Sequence, residues 1–580
     1  MSCLRVIIIH NILPMMDKKF KTNFRRRLGK VLFMFKKESS QGSAFKLSGF
    51  LFVACLIISF FVYLQGIFVK QGFPIGDVGG NLYAMEAVTR GEIPYKNFIW
   101  IYGPLMLYYH ALFFKWFGSN IQSALWAKLF LEVAFTGVFF LAARRIMPLW
   151  GAFFAALAYC VFKPEFLHSF VHYGGVCMEI GILWAVLSYC QKAQEKYVLS
   201  ALGIVFILGI IKLNFGIVFL GGVFICIVLC DLFEHRNFSF GRIRRYGFYF
   251  FVVVFSWFLS HYFFVRTLSW HQINQCFPIL KDYCFFTGTP HQGIVQSVKV
   301  CLADAMNNKS FSVPIAVVAF PSCLWCLGVM FQRRSAELVK GRNFFLICIL
   351  LAILTVCAYH EFYIGRIDYQ AYWAKPFTVL LIAYLICEAC LMTPARVQGG
   401  ILIFFFVIIG IQGYKNFRYL ESFKDQEHFF EFDHMNIYVT EIPKDIRSML
   451  YTVRYIKKHI PQDQLFFTFP INAGYYYLTD RPSPVWFLYA LRANKLTIEQ
   501  EREIIQDLER KGVNYIVLPS ISYATFGQFG KFGRDYLLAL APYVEEHYKE
   551  IARFGEWSPV SDEKYIGGMG TKILKRKGSF

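Results

Sequence analysis

The chain has 580 residues, 56% of them hydrophobic and only 17% charged, whereas soluble globular chains run near about 45–50% apolar and about 25% charged. Its mean hydropathy of +0.44 excludes an ordinary soluble enzyme and makes lipid the main solvent. The formal charge of +22 does not mark a nucleic-acid binder, because the basic residues lie in clusters between apolar runs and not in one patch.

Residues 1–45 form a basic segment. Lys18, Lys19, Lys21, Arg25, Arg26, Arg27, Lys30, Lys36 and Lys37 all precede the first apolar run, which places this end in the cytoplasm by the positive-inside rule. The short apolar run Val6 to Ile9 fits neither a span nor a signal peptide, so residues 1–14 are read as a product of an upstream start site.

From 46 to 414 the sequence reads as a polytopic helical domain. Apolar runs of about 17 to 23 residues suit a hydrocarbon slab roughly 30 Å thick. They fall at 46–68, 121–143, 147–163, 175–191, 197–212, 216–233, 247–266, 312–331, 343–359, 375–393 and 399–414, about eleven spans. The division of 197–233 rests on Lys212-Leu213-Asn214-Phe215, read as a tight connection between two helices. Alternate loops carry Arg144 and Arg145, Lys192 and Lys196, Arg242 with Arg244 and Arg245, Arg333 with Arg334 and Lys340, and Arg396, a consistent basic face. The opposite face takes the long first loop 69–120, Pro164 to Gly174, Thr267 to Phe311, His360 to Ala374, and everything from Lys415. Length concentrates on that outer face, where long loops are usually functional.

The sixteen cysteines lie mostly inside apolar runs. Cys323 and Cys326 mimic a CxxC but fall within a span, where packing is the simpler reading than zinc. Cys276 and Cys284 share an outer loop, and pairing between them stays open.

The tail, 415–580, changes character and reads as a small α/β domain outside the cytoplasm. Arg447 to His459 predicts a helix, and Leu465 to Phe469 a short strand stopped by Pro470. Thr497 with Gln500 makes a capping box for a helix ending at Arg510 before Gly512. Asn514 to Leu518 predicts another strand, and Arg534 to Ile551 an amphipathic helix. No Walker or dinucleotide glycine pattern occurs there, so the tail reads as a scaffold or acceptor-binding surface.

Chemistry concentrates in the first outer loop: Gly76-Asp77-Val78-Gly79-Gly80-Asn81-Leu82-Tyr83-Ala84-Met85-Glu86-Ala87, then Arg90-Gly91-Glu92-Ile93-Pro94-Tyr95, Tyr102-Gly103-Pro104-Leu105 and Phe117-Gly118. This series resembles the first outer loop of GT-C membrane glycosyltransferases, whose relatives include protein O-mannosyltransferases and bacterial aminoarabinose transferases. Gly209-Ile210-Ile211-Lys212-Leu213-Asn214 is similar to the family's central motif, G-x-x-K-x-N, and Asp368-Tyr369 to Pro376 to its late outer loop. In the tail, Tyr455 to Pro461, Phe466 to Pro470, Tyr475 to Tyr477 and Tyr515 to Pro519 resemble the outer domains of bacterial members. The resemblance implies a GT-C-like transmembrane domain in a bacterial plasma membrane, multi-pass, with the tail periplasmic or extracellular. It implies a polyprenyl-phosphate sugar as donor and a glycan, lipid or protein as acceptor.

The physical reading points the same way. An acid beside glycines at the membrane surface can take the proton of an acceptor hydroxyl as it attacks the anomeric carbon, and Asp77 is the candidate general base in a single inverting displacement. The leaving group is already a phosphate anion, so cations and donors matter more than a general acid. Arg366 leads these, since its planar fork suits phosphate oxygens, followed by Lys375, Lys212, His172 and Arg90; Lys163 and His168 share the second outer loop with His172. Tyr83, Glu86, Tyr95, Tyr102 and Glu165 are candidate sugar or acceptor contacts. Many family members carry a second acid where Val171-His172-Tyr173-Gly174-Gly175 stands here. Glu165 is the nearest substitute, which argues against a two-acid mechanism and against a bound divalent metal.

Plainer roles exist for each. Asp77 suits a helix cap, the tyrosines suit interfacial anchoring, and Lys212 and Arg366 suit snorkelling to headgroups. Two other functions fit many spans with buried cations. A transporter or lipid-glycan flippase would show internal repeats or paired broken helices, and only the break at 212–216 is of that kind. An oligosaccharide ligase or polymerase would use a basic outer loop such as the one carrying Arg266, His271, Lys281 and His291. Asn237-Phe238-Ser239 and Asn308-Lys309-Ser310 match the glycosylation triplet, which also occurs by chance.

Overall fold

The structure, a computed structural model, describes residues 41–68, 77–162, 170–235, 239–277, 338–365, 373–392, 407–415, 428–432, 435–439, 444–470, 473–488, 496–520, 530–531, 533–557, 560–561 and 570–578. The apolar runs become helices: α1 (Gln41–Phe68), α4 (Ile121–Ile146), α5 (Leu149–Phe162), α6 (Phe170–Lys192), α7 (Glu195–Ile211), α8 (Leu213–Leu229, continued by a π-helical turn Cys230–His235), α9 (Phe240–Val265), α11 (Leu338–Gly365) and α12 (Lys375–Met392). The first long loop contributes α2 (Asp77–Thr89) and α3 (Leu105–Phe117), and a short α10 (Trp270–Cys276) follows α9. A further helix, α13, covers 407–415. Among the described residues five helices are long and apolar enough to cross a membrane: those containing Leu47–Leu64, Ile121–Ile146, His172–Lys192, Leu213–Phe233 and Phe240–Val265. This is a membrane protein. The expected span 312–331 lies outside the described residues, as do Cys323, Cys326, Cys284, both glycosylation triplets' asparagines and the basic segment before residue 41.

Helix burial sorts the bundle. In α6, 89% of the span is enclosed, against 11% in α9, so α6 is the hub and α9 the periphery. Packing of α6 against α4 and α7, and of α1 against α4, forms the centre. Phe248, Phe251, Phe255 and Phe258 of α9 are exposed, as a lipid-facing helix requires.

The backbone breaks at Lys212, which is extended between α7 and α8. The two helices then fold back on each other so closely that a Cβ on Gly216 would sit 2.5 Å from the Gly209 Cα. Small residues permit such an approach between membrane helices. Trp257 of α9 braces the hairpin, donating its indole N–H to the Phe206 carbonyl at 2.8 Å. At the other end of the bundle, buried Asp231 accepts from the Tyr189 hydroxyl at 2.5 Å, from the Tyr246 hydroxyl at 3.3 Å and from Arg242 at 3.4 Å. Arg245 pairs with Glu195 there at 3.3 Å, so the connection at 192–196 and the start of α9 share one face.

Two expected loops are shorter than the sequence suggests. α6 begins at Phe170, which puts His172 in its first turn, and α11 runs through His360 and Glu361 to Gly365. In both cases helical hydrogen bonding continues past the apolar run, because polar residues at a membrane surface lose nothing by staying helical.

In the tail, β1 (His428–Phe432) and β2 (Met435–Val439) make a hairpin. β3 (Phe466–Thr468), β4 (Tyr515–Pro519), β6 (Tyr548–Phe554) and β8 (Thr571–Arg576) form a mixed sheet in the order β3-β4-β8-β6, with only β3 and β4 parallel. β5 (Gly530–Lys531) pairs with β7 (Val560–Ser561). Helices α14 (Lys444–His459), α15 (Gly474–Thr479), α16 (Ile498–Arg510) and α17 (Leu540–His547) accompany them. The capping box of Thr497 and Gln500 is present, and Gly512 takes a left-handed φ of 59° after α16. The expected helix Arg534–Ile551 is present only in its middle, as α17. Leu537 at φ 56° delays its start, and from Tyr548 the backbone becomes extended to pair with β8. Long-range ladder bonds, which local periodicity does not see, decide that segment. Glu501 of α16 is buried and accepts from the amides of Leu538, Ala539 and Leu540 at 3.1, 2.6 and 2.8 Å, capping α17 from outside its own sequence.

Candidate functional site

The turn at Lys212 is where the expected site residues meet. Lys212 is only 5% exposed, and its Nζ lies 5.5, 5.0 and 5.3 Å from the ring centres of Tyr102, Phe215 and Trp373. Three electron-rich faces offset part of the cost of burying the ammonium, about 0.5–2 kcal/mol for each such contact. His172 joins the group, its ring centre 5.1 Å from Tyr102 and 5.2 Å from Trp373. Trp373 stacks on Phe215 at 4.0 Å, and the Asn214 Nδ2 lies 3.1 Å from the His360 Nε2. Five elements thus converge: the first loop, the start of α6, the α7–α8 turn, the end of α11 and the start of α12.

The backbone holds the first loop to this turn. Gly103 donates its N–H to the Ile211 carbonyl at 2.8 Å, satisfying a carbonyl that the end of α7 leaves open. A Cβ at position 103 would lie 1.8 Å from the Ile210 oxygen, so the contact demands glycine. The first amides of α8 have no intrahelical acceptors, and the N-terminal end of a helix favours negative charge. Lys212, the amino end of α8 and the Asn214–His360 pair together make a corner suited to an anion.

The other candidates are placed as follows. Asp77 is the first residue of α2; its side chain lies outside the described residues. α2 packs on α3, on α15 of the tail and on α6. Lys375 opens α12, two residues from Trp373, and is half-buried. Arg366 and Glu165 lie outside the described residues, as do Lys163, His168, Asp368, Tyr369, Lys281 and His291. The side chain of His271 is also outside them, while Arg266 stands 5.6 Å from the Phe263 ring.

Tyr83, Glu86, Arg90 and Tyr95 belong to a second knot, between the first loop and the tail. Arg90 pairs with Glu86 and with Glu92, each at 3.0 Å, and stands 5.3 Å from the Tyr83 ring. Burial works against the Arg90 charge, but Glu86, Tyr83 and Glu92 more than offset it and hold the guanidinium above its ordinary value. Glu86 also accepts from the Ser119 hydroxyl at 2.9 Å. The Tyr83 hydroxyl accepts the Ser483 amide at 2.7 Å, and burial pushes that phenol up. Tyr95, fully buried at φ 69°, donates to the Tyr102 carbonyl.

Several polar residues have no counterpart among the motifs. Lys128 and Glu132 of α4 pair at 3.7 Å, Lys128 lies 4.6 Å from the Tyr173 ring, and Glu179 is completely buried within α6. An ionisable residue inside an apolar run was the available signal. Trp373 and His360 had no such marker, because their role comes from packing across the bundle. Among the described residues no group of three or more His, Cys, Asp or Glu side chains is placed to hold a metal ion.

No protein-family model matches the sequence, and no curated protein matches it. Among solved structures, the protein is similar to ArnT from Cupriavidus metallidurans bound to undecaprenyl phosphate, with a TM-score of 0.51 and 12% identity, covering 90% of this chain and 97% of that one. ArnT from the same organism in the apo state gives a TM-score of 0.49 and 14% identity over 92% of this chain and 98% of that one. The archaeal oligosaccharyltransferase AglB from Archaeoglobus fulgidus, in complex with an inhibitory peptide and a dolichol-phosphate, gives 0.48 and 11% over 90% and 76%. The resemblance to GT-C membrane glycosyltransferases drawn from the motifs therefore holds at the level of the fold, through the first of these structures.

Proposed function

We propose that this protein is a membrane glycosyltransferase that moves a sugar from a polyprenyl-phosphate carrier to a lipid, glycan or protein acceptor at the outer face of a bacterial plasma membrane. The observation that carries the reading is the buried Lys212 at the α7–α8 turn, gathered with Tyr102, His172 and Trp373. It stands in a fold shared with a structure that holds undecaprenyl phosphate. A cation at a helix amino end, sheltered from water by aromatic rings, is suited to a phosphate that must leave with its electron pair.

In this reading the carrier phosphate binds at Lys212 and the start of α8, with His172, Lys375 and Arg366 as further donors. The described flanks of the segment bearing Arg366 support its inclusion: His360 is in contact with Asn214, and Trp373 with Phe215. Asp77 takes the proton of the acceptor hydroxyl, the acceptor oxygen forms the new bond to the anomeric carbon, and the carbon–oxygen bond to the phosphate breaks with inversion. Tyr102 is the candidate sugar contact. Tyr83, Glu86, Arg90 and Tyr95 serve to hold the loop that carries Asp77. The tail then stands on the outer face with the N-terminus inside.

Comparing lipid-linked sugars and envelope glycans by mass spectrometry, with and without the gene, tests the proposal. Loss of one glycan modification with build-up of one polyprenyl-phosphate sugar is expected; unchanged profiles of both would reject it.

A further inference from the structure

Among the described residues, Trp486 of the tail is linked to the Lys212 turn by way of the first loop. Trp486 lies on the stretch that follows α15, where its indole N–H donates to the Tyr95 carbonyl at 2.6 Å. Its own carbonyl accepts the Ile99 amide at 2.9 Å. Trp486 thus grips the loop between α2 and α3 at two points four residues apart, as a donor and as an acceptor. Tyr95 passes the constraint on by donating to the Tyr102 carbonyl. Trp100 adds its indole N–H to the Gly103 carbonyl at 3.3 Å, and Gly103 is tied to Ile211 at 2.8 Å. The next residue is Lys212.

We infer that Trp486 is a positioning residue: the tail sets where the Tyr102 ring stands over Lys212, and so is part of the site's construction. The loop owes its shape to buried side chains and to isolated hydrogen bonds and not to a regular element. Residues 94–103 contain no regular element beyond a single bridge between Pro94 and Phe98, and Tyr95 occupies a left-handed φ of 69° that a tyrosine adopts only when its surroundings hold it. Those surroundings are Trp486 on one side, and Phe277 and Phe264 on the other, with ring centres 5.2 and 5.9 Å away. The functional half of the inference rests on the reading of Lys212 as the carrier-phosphate site.

The test uses the full-length protein in detergent micelles with two single variants. Trp486→Phe keeps an aromatic ring but removes the indole donor. Tyr477→Phe removes another bond between the tail and the first loop, the Tyr477 hydroxyl to the Ser119 carbonyl at 3.4 Å, which does not touch residues 94–103. Amide hydrogen exchange is followed over 96–104 and 208–216, and binding of undecaprenyl phosphate is titrated. Trp486→Phe is expected to speed exchange at Ile99 and Gly103 and to weaken binding about three- to tenfold, the scale of one buried hydrogen bond; Tyr477→Phe leaves both unchanged. Faster exchange with unaltered binding supports the positioning role while rejecting the carrier reading of Lys212. Unaltered exchange over 96–104 in Trp486→Phe, or equal effects from the two variants, overturns the inference.

Discussion

The amide of Gly103 donates to the carbonyl of Ile211 across 2.8 Å, stitching the first outer loop to the helix end that precedes Lys212. Every other feature of the site is arranged about that seam. Tyr102 lies on one side of it and Lys212 on the other, so the seam brings the Tyr102 ring to the aromatic box.

Gly103→Ala is therefore expected to open the site. Its Cβ would meet the Ile210 oxygen at 1.8 Å and the Ile211 carbonyl carbon at 2.8 Å, both backbone atoms that cannot rotate away. Overpacking of this kind costs about 1–3 kcal/mol, and the separation also breaks the hydrogen bond. Thermal unfolding in detergent should shift downward, with undecaprenyl phosphate binding weakened in the folded fraction. A variant as stable and as tight-binding as the parent would show that the seam is dispensable.

Lys212→Met separates a functional cation from a structural one. Methionine keeps much of the stem's volume in the box of Tyr102, Phe215 and Trp373 while removing the charge. If the ammonium holds a phosphate, affinity for undecaprenyl phosphate falls at least about tenfold, as charge-assisted hydrogen bonds of about 1.5–3 kcal/mol imply. Lys212→Arg keeps the charge but replaces a compact ammonium by a bulkier planar group in an enclosed box, and should recover it only in part. Unchanged affinity in Lys212→Met would mean that the side chain serves packing alone.

Much of this was legible in the sequence, and the boundary is instructive. The apolar runs that fall on described residues, the break at Lys212 and the capping box at Thr497 are local signals, and each matches an element in the structure. The first-loop motif drew attention to Tyr102 and the central motif to Lys212, and the structure brings the two side chains together. What the sequence did not disclose was separation in sequence turned into proximity. Nothing near Trp373 or Trp486 marks either as part of the site, and Glu501 reads as a solvated helix residue until three amides of α17 are found upon it. Tyr83 reads in the sequence as a sugar or acceptor contact and Arg90 as a donor to the carrier phosphate. The Tyr83 partner Ser483 lies 400 residues away in the tail and has no signal near the motif, whereas Arg90 pairs with Glu86 and Glu92 of its own segment.

The tail should respond to acid through Glu509. The Tyr543 hydroxyl, followed by the Arg576 guanidinium at 2.7 Å, holds this carboxyl below its ordinary value. A carboxylate whose pKa is lowered on folding contributes stability above its unfolded pKa of about 4.3, and that contribution disappears as pH falls through the lower folded value. Resistance of the protein to thermal unfolding is expected to fall as the pH drops below about 4.3, and Glu509→Gln should flatten part of that slope. An identical pH profile in the variant would show that Glu509 plays no part in the acid response.

Asp77→Asn tests the central claim most directly. The protein, in membranes, is supplied with a polyprenyl-phosphate sugar extract and acceptor-bearing envelope lipids, and transfer is followed by mass spectrometry. Asparagine preserves the size and capping ability of the side chain at the head of α2 but cannot take up the acceptor's proton. If Asp77 is the base, the variant is folded and inserted and still binds undecaprenyl phosphate, with transfer lowered about a hundredfold or more. Transfer at the parent's rate in that variant would contradict the assignment.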